Sequence, residues 1–358
     1  MDNKFQSNSS SSPDKDVKKL TSGKKIPQWW VIVIAVVLLA ALAYGVFGYW
    51  KPFQPSPQEV LEESFQKMAN YESYQSDLEG QFELGLSAEQ AQNFPTNSIG
   101  TTINAEIKTI PPKNKSEVSL STEIKLANLP VTVAGMIKAI DQNLYVRADN
   151  LSLIEMFLPS NNLTGQWIEI PLDEVTKTTT STKDNSFLTK MDEYQKEMLT
   201  TINKYPPFKV IKTLDSEEIM ETDCHHYKVG VDMVNFKKVA LKAVDFISQE
   251  TEVATSTEEG LQKFEEEWNN FATNNPNLNF EIWISKKTNN IRRIDFGQED
   301  QLVNIDLGEQ IVKVFFTQDY YKINEDFKIT TPEDYKTLQE LLQSGDDLSG
   351  VKEGLLQF

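Results

Sequence analysis

A single cysteine, Cys224, in 358 residues leaves the chain without an internal disulfide, a four-cysteine zinc site or a lipid-modified N-terminal cysteine. Histidine is almost as scarce, with His225 and His226 alone. Positive charge is short: 35 Lys and Arg stand against 53 Asp and Glu, a formal net charge of −18. Such a surface repels phosphate, so nucleic acid is not expected as a partner. The 15 glycines form neither a Walker A loop nor Gly-x-Gly-x-x-Gly, and no Gly-x-Ser-x-Gly elbow occurs. Apolar material is not lacking. At 39% of the chain, with 10% aromatics, it predicts a sizeable core rather than disorder.

The longest apolar run is Trp29 to Trp50, 22 residues without a charge. As a helix it would reach roughly 33 Å, enough for a hydrocarbon layer of about 30 Å. Trp29 and Trp30 at one end, and Tyr49 and Trp50 at the other, fit the two headgroup levels. Residues 1–28 carry six lysines and three aspartates, with Lys24 and Lys25 beside the run. Lysines near a membrane stay inside, so a cytoplasmic N-terminus and a large extracytoplasmic domain are expected, in a single-pass cell-membrane protein. Ala41-Leu42-Ala43 resembles a signal-peptide cleavage site, but the apolar run continues to Trp50, which favours an uncleaved anchor.

The expected organisation is a disordered tail over 1–28, the span over 29–50, a Pro-rich spacer over 51–57, an α+β domain over 58–345 and a loose tail over 346–358. Ser56, Pro57 and Glu59 make a capping box ahead of the stripe Val60, Leu61, Phe65, Met68 and Ala69. Period-two alternation then predicts strands from Tyr74 to Leu86, around Ile99–Ile107, Val118–Leu126, Val131–Ala139 and Leu144–Arg147, and again at 208–215, 224–232, 278–286, 291–298, 301–307 and 311–318. Helical spacing is expected at 187–202, after an Asn235 cap, after Ser256–Glu259, and after Thr331-Pro332-Glu333. The fold class is therefore α+β: a curved antiparallel half-barrel of about ten strands, with amphipathic helices on its concave side.

A leading helix, a long antiparallel meander and interposed helices form this pattern. Three stretches carry it further: Asn143–Arg147 followed by Gly165-Gln166-Trp167-Ile168-Glu169-Ile170; Asp223 to Asp232; and Glu281 to Ile294. Over roughly residues 57–320 the chain resembles the LolA/LppX-like lipoprotein-carrier superfamily. That resemblance implies a half-open β-barrel wrapped round helices, lipid or acyl chains as ligand, and no catalytic residues. Its typical members are free or cysteine-anchored, whereas here a membrane helix is expected.

Asp223-Cys224-His225-His226 is the one stretch that invites metal chemistry. Strand alternation puts Cys224 and His226 on one side, and His225 with Tyr227 on the other. One strand then offers two ligands at most, with no further Cys or His to complete a site. No metal, cofactor or catalytic residue is expected, and the chain is not read as an enzyme. Asn162-Leu163-Thr164 fits a glycosylation sequon. The alternating apolar positions Ile103, Ile124, Val133 and Ile137, with small Gly135 and Ala139 making room, are the expected lining of a lipid pocket. The alternative is an envelope interaction or structural module whose core is filled.

Overall fold

A computed structural model describes residues 55–86, 98–126, 129–141, 143–151, 164–171, 194, 197–198, 200–251, 258–298, 302–306, 311–337 and 340. The apolar run 29–50, both tails, the Asn162 sequon asparagine, the Ser256 cap and most of the expected 187–202 helix lie outside these residues. No described helix is long and apolar enough to cross a membrane.

The chain opens with helix α1 (Pro57–Ala69). Its cap is the expected one: Glu59 N–H donates to Ser56 Oγ, and Ser56 N–H donates to the Glu59 carboxylate. Five strands follow as a meander: β1 (Tyr74–Gly85), β2 (Ser98–Ile110), β3 (Lys115–Leu126), β4 (Leu129–Ile140) and β5 (Asn143–Leu151). Then come β6 (Trp167–Pro171), the hairpin β7 (Phe208–Ile219) and β8 (Thr222–Val231), and helices α2 (Met233–Thr251) and α3 (Glu258–Asn274). The chain continues with β9 (Asn279–Ser285), β10 (Ile291–Phe296), β11 (Val303–Asp306), β12 (Ile311–Tyr321) and β13 (Tyr335–Thr337).

All thirteen strands join one curved, unclosed sheet in the order β13-β6-β5-β4-β3-β2-β1-β12-β10-β9-β8-β7, with β11 paired to β12 beyond the end of β10. Among the described residues every strand pairing is antiparallel except β13 with β6, and an isolated bridge between Ala148 and Thr164 is also parallel. β11 falls within the expected strand at 301–307, whereas β6 and β13 are short additions that alternation barely marks.

Three local expectations need correction. The cap of α2 is Asp232, whose carboxylate accepts from the Val234 and Asn235 N–H groups, so the helix starts before Asn235. β7 runs four residues past its expected end and β8 starts two residues before its expected start, so the hairpin closes tightly through Met220 and Glu221, both at positive φ. Residues 331–334 open no helix. Tyr335–Thr337 instead pairs with β6, and Thr337 exchanges side-chain and backbone bonds with Glu340. Between β12 and β13 the chain crosses the sheet as a strap. Phe327 and Ile329 pack on Ile110, Ile140, Tyr145 and Trp167, and Lys138 donates to Thr330 O at 3.2 Å.

The main core lies between α1 and one half of the sheet. Val60, Leu61, Phe65 and Met68 of α1 meet Tyr227, Val229, Phe280, Ile282, Ile284, Ile294, Phe296, Phe316 and Tyr320. Leu78 and Phe82 of β1 and Phe271 of α3 pack at its border. Gln58 ties α1 to β7: its amide donates to Phe208 O at 3.2 Å and accepts from Val210 N–H at 2.9 Å.

Candidate functional site

Strand register decides which side chains share a face, because directly opposed residues point the same way. One such row runs Tyr227, Ile282, Ile294, Gln318, Leu78, Ala105, Leu120, Gly135, Ala148 across nine strands. Its first members lie under α1, so the whole row marks the inner face of the sheet. The neighbouring rows place Ile103, Ile124, Val133, Ile137 and Ala139 on that same face. Sequence alternation thus brings all six expected positions together, on β2, β3 and β4.

The inner face of β2–β6 continues beyond those six. It holds Ile99, Thr101, Ala105, Ile107 and Thr109; Ser116, Val118, Leu120 and Thr122; Val131; Leu144, Val146 and Ala148; and Ile168 and Ile170. No Asp, Glu, Lys or Arg occupies any of these positions. The outer face of the same strands is the reverse. There Lys108, Glu117 and Lys138 form a chain of ion pairs at 3.0 and 2.9 Å. Burial alone would raise the Glu117 carboxyl, but Lys138 and Lys108 overcome it and hold it below its usual value.

None of the hydrophobic clusters built by α1, α2 and α3 includes an inner-face residue of β2–β6. Among the described residues that apolar surface has no cover. Ala105 and Val131 are buried, the other positions are half-buried, and Ile137 is 38% exposed. A core position of that chemistry is ordinarily below a tenth, as with Ile282 and Ile294 on the same sheet. Among the described residues the arrangement is an apolar trough with one side open, continuous with a filled core at β1 and β12. A surface of this kind takes up apolar chains by excluding water and offers them no charge.

Gly135 does not make room in the trough, contrary to the sequence expectation. Pairing of β4 with β5 shifts between Ala134–Asn150 and Gly135–Ala148, leaving Asp149 as an extra residue. The bulge carries the Arg147 carbonyl to where a Cβ on residue 135 would sit. Gly135 is required by this close backbone approach, so it belongs to the strand pairing.

A depression among the described residues lies elsewhere, on the outer face. It holds about 470 Å³ and is lined by Asp77, Glu79, Glu106, Asp149 and Asp319, among others. Several of these carboxylates are already engaged: Arg293 forks onto Asp319 at 2.6 and 2.8 Å, and Tyr321 donates to Asp77 at 2.9 Å. Its lining is polar, unlike the trough.

The histidine strand lies on β8 as alternation requires. His225 stacks with Tyr227 at 5.8 Å, while His226 stacks with Trp283 at 4.0 Å on the other side. His226 Nε2 is 2.9 Å from Glu281, and Trp283 donates to Glu217 at 3.0 Å. Cys224 is fully buried beside Trp283 and Ile219, and burial pushes its thiol up, away from the nucleophilic thiolate. These side chains knit β7, β8 and β9 together.

Asp295, on the outer face opposite Glu281, was not singled out by sequence. Burial pushes its carboxyl up from 3.8 to about 6, against the Thr317 hydrogen bond and Arg293. Its Oδ1 is buried without a hydrogen-bond partner. A raised acid pKa stabilises the fold below pH 3.8, and this contribution is lost as pH rises through about 6. Asp295→Asn should therefore stabilise the protein at pH 7.5, by about 1–2 kcal/mol once solvent screening of this partly exposed group is included. It should bring no gain at pH 4. Thermal melts of parent and variant at the two pH values check this, and an equal shift at both would contradict it.

No family model matches the chain, and no curated protein matches it. Among solved structures it is similar to the Mycobacterium tuberculosis lipoprotein LppX, at 8% identity over 76% of this chain and 96% of that one, with a TM-score of 0.31. It is also similar to a LolA-superfamily protein from Nitrosomonas europaea, at 12% identity over 77% and 96%, with a TM-score of 0.19.

Proposed function

We propose that this protein is a non-catalytic binding protein for lipid or lipoprotein acyl chains, held at the outer face of the cell membrane by residues 29–50 with its N-terminus in the cytoplasm. One observation carries the reading: the inner face of β2–β6 is free of charge, continuous with the core, and uncovered among the described residues. An acyl chain laid along it would bury methylenes at about 0.8 kcal/mol each, so ten supply roughly 8 kcal/mol before the costs of association. The anchor reading is supported by the 22 uncharged residues from Trp29 to Trp50 and the lysines before them.

The test is a charge on the trough. Val133→Glu and Ile137→Glu put a carboxylate where the chain would lie, at a half-buried and an exposed position respectively. An unpaired charge desolvated by a ligand costs about 3 kcal/mol, so a fluorescent fatty acid should bind roughly 100-fold more weakly. The melting temperature should hardly move. Unchanged binding by both variants, or no binding by the parent, would reject the reading.

A further inference from the structure

The chain enters the fold at a defined rim of the sheet. Gln58, in the first turn of α1, bonds to the start of β7, whereas Lys67, in its last turn, donates to Thr288 O in the β9–β10 turn at 2.7 Å. Antiparallel register then gathers the end of β8, the start of β9 and the start of β12 at the same rim as the α1 N-terminus.

Among the described residues, three of the six exposed large apolar side chains stand at or near this rim. Val234 is 69% exposed, Ile211 59% and Ile311 50%. Ile211 lies against Gly230 at the end of β8, Val234 follows β8 in the first turn of α2, and Ile311 is the first residue of β12. Near Val234, in a protein of net charge −18, the exposed Lys204 and Lys238 lie 5.2 and 4.0 Å from the Tyr205 ring centre. Apolar tips beside lysines and an aromatic ring are the chemistry of the headgroup–acyl boundary of a bilayer. The length of chain points the same way. Four residues lie between Trp50 and Pro55, and the five Cα–Cα steps reach at most about 17 Å.

We propose that the rim bearing Ile211, Val234 and Ile311 rests on the lipid surface, so that the apolar trough ends against the bilayer. This rests on reading residues 29–50 as a membrane span. Lysine attraction to lipid phosphate and loss of water by the three apolar tips would hold the rim down once the anchor has brought it close. The β7–β8 turn, with the exposed Met220, lies at the opposite rim and faces water.

Nitroxide labels test the orientation in the full chain, reconstituted into nanodiscs of phosphatidylcholine and phosphatidylglycerol. Cys224 is buried and stays unlabelled in the folded protein. Ile211→Cys, Val234→Cys, Ile311→Cys and Met220→Cys each remove an exposed side chain, and thermal melts confirm folding. The ratio of collisions with molecular oxygen to collisions with a water-soluble nickel chelate should be severalfold higher at residues 211, 234 and 311 than at 220. Equal ratios in a chain that has entered the nanodiscs would overturn the docked rim and leave the span standing. A chain that never enters nanodiscs would overturn the span, and the docked rim with it.

Discussion

Gly135→Ala should destabilise the domain almost as severely as Gly135→Leu, by about 3 kcal/mol or more, with neither variant gaining anything from added bulk. The obstacle is the Cβ itself, which would fall on the Arg147 carbonyl at the β4–β5 bulge. A glycine that merely left space in a binding trough would accept alanine with little loss. Urea unfolding of both variants separates the cases: a graded cost, small for Ala and large for Leu, would contradict the bulge account. Filling the trough is instead the task of a residue that already carries a Cβ. Ala139→Leu, on the same face and opposite Ser116, should weaken acyl binding while leaving the strand pairing intact.

Leu61→Ala should cost about 2–5 kcal/mol, whereas Ile137→Ala should cost under about 1 kcal/mol. Both remove comparable apolar volume. Leu61 is 1% exposed in the cluster where α1 closes over β8, β9, β10 and β12, so its loss leaves a cavity. Ile137 is 38% exposed and has little packing to lose. Chemical denaturation midpoints of the two variants measure the contrast between the filled and the open half of the sheet. Equal costs would mean that the β2–β6 face is packed like the core.

Much of this fold was legible in the sequence because period-two alternation is nearly complete from Tyr74 to Ala148. The faces inferred for Ile103, Ile124, Val133 and Ile137 are the faces they occupy. The α1 cap was legible because Ser56, Pro57 and Glu59 meet in one local motif. What escaped depends on partners distant in sequence or on unusual turn chemistry. Met220 and Glu221 adopt positive φ without the Asn-Gly signature that announces such a turn. The strap through Ile329 and the parallel pairing of Tyr335–Thr337 depend on Ile110, Ile140 and Trp167, far away in the chain. The role of Gly135 depends on an extra residue, Asp149, in a different strand. Asp295 looked like any other carboxylate until its burial between β9 and β12 was visible.

The trough and the core differ in what lies over them, and a photoreactive residue reports that directly. Benzoylphenylalanine placed at Ile137 in the full chain, irradiated in native membranes and analysed by mass spectrometry, should capture lipid acyl chains. The same residue at Lys125, on the outer face, should not. Crosslinks from position 137 solely to other peptides of this chain would contradict the account, because they would show the inner face of β2–β6 covered by protein.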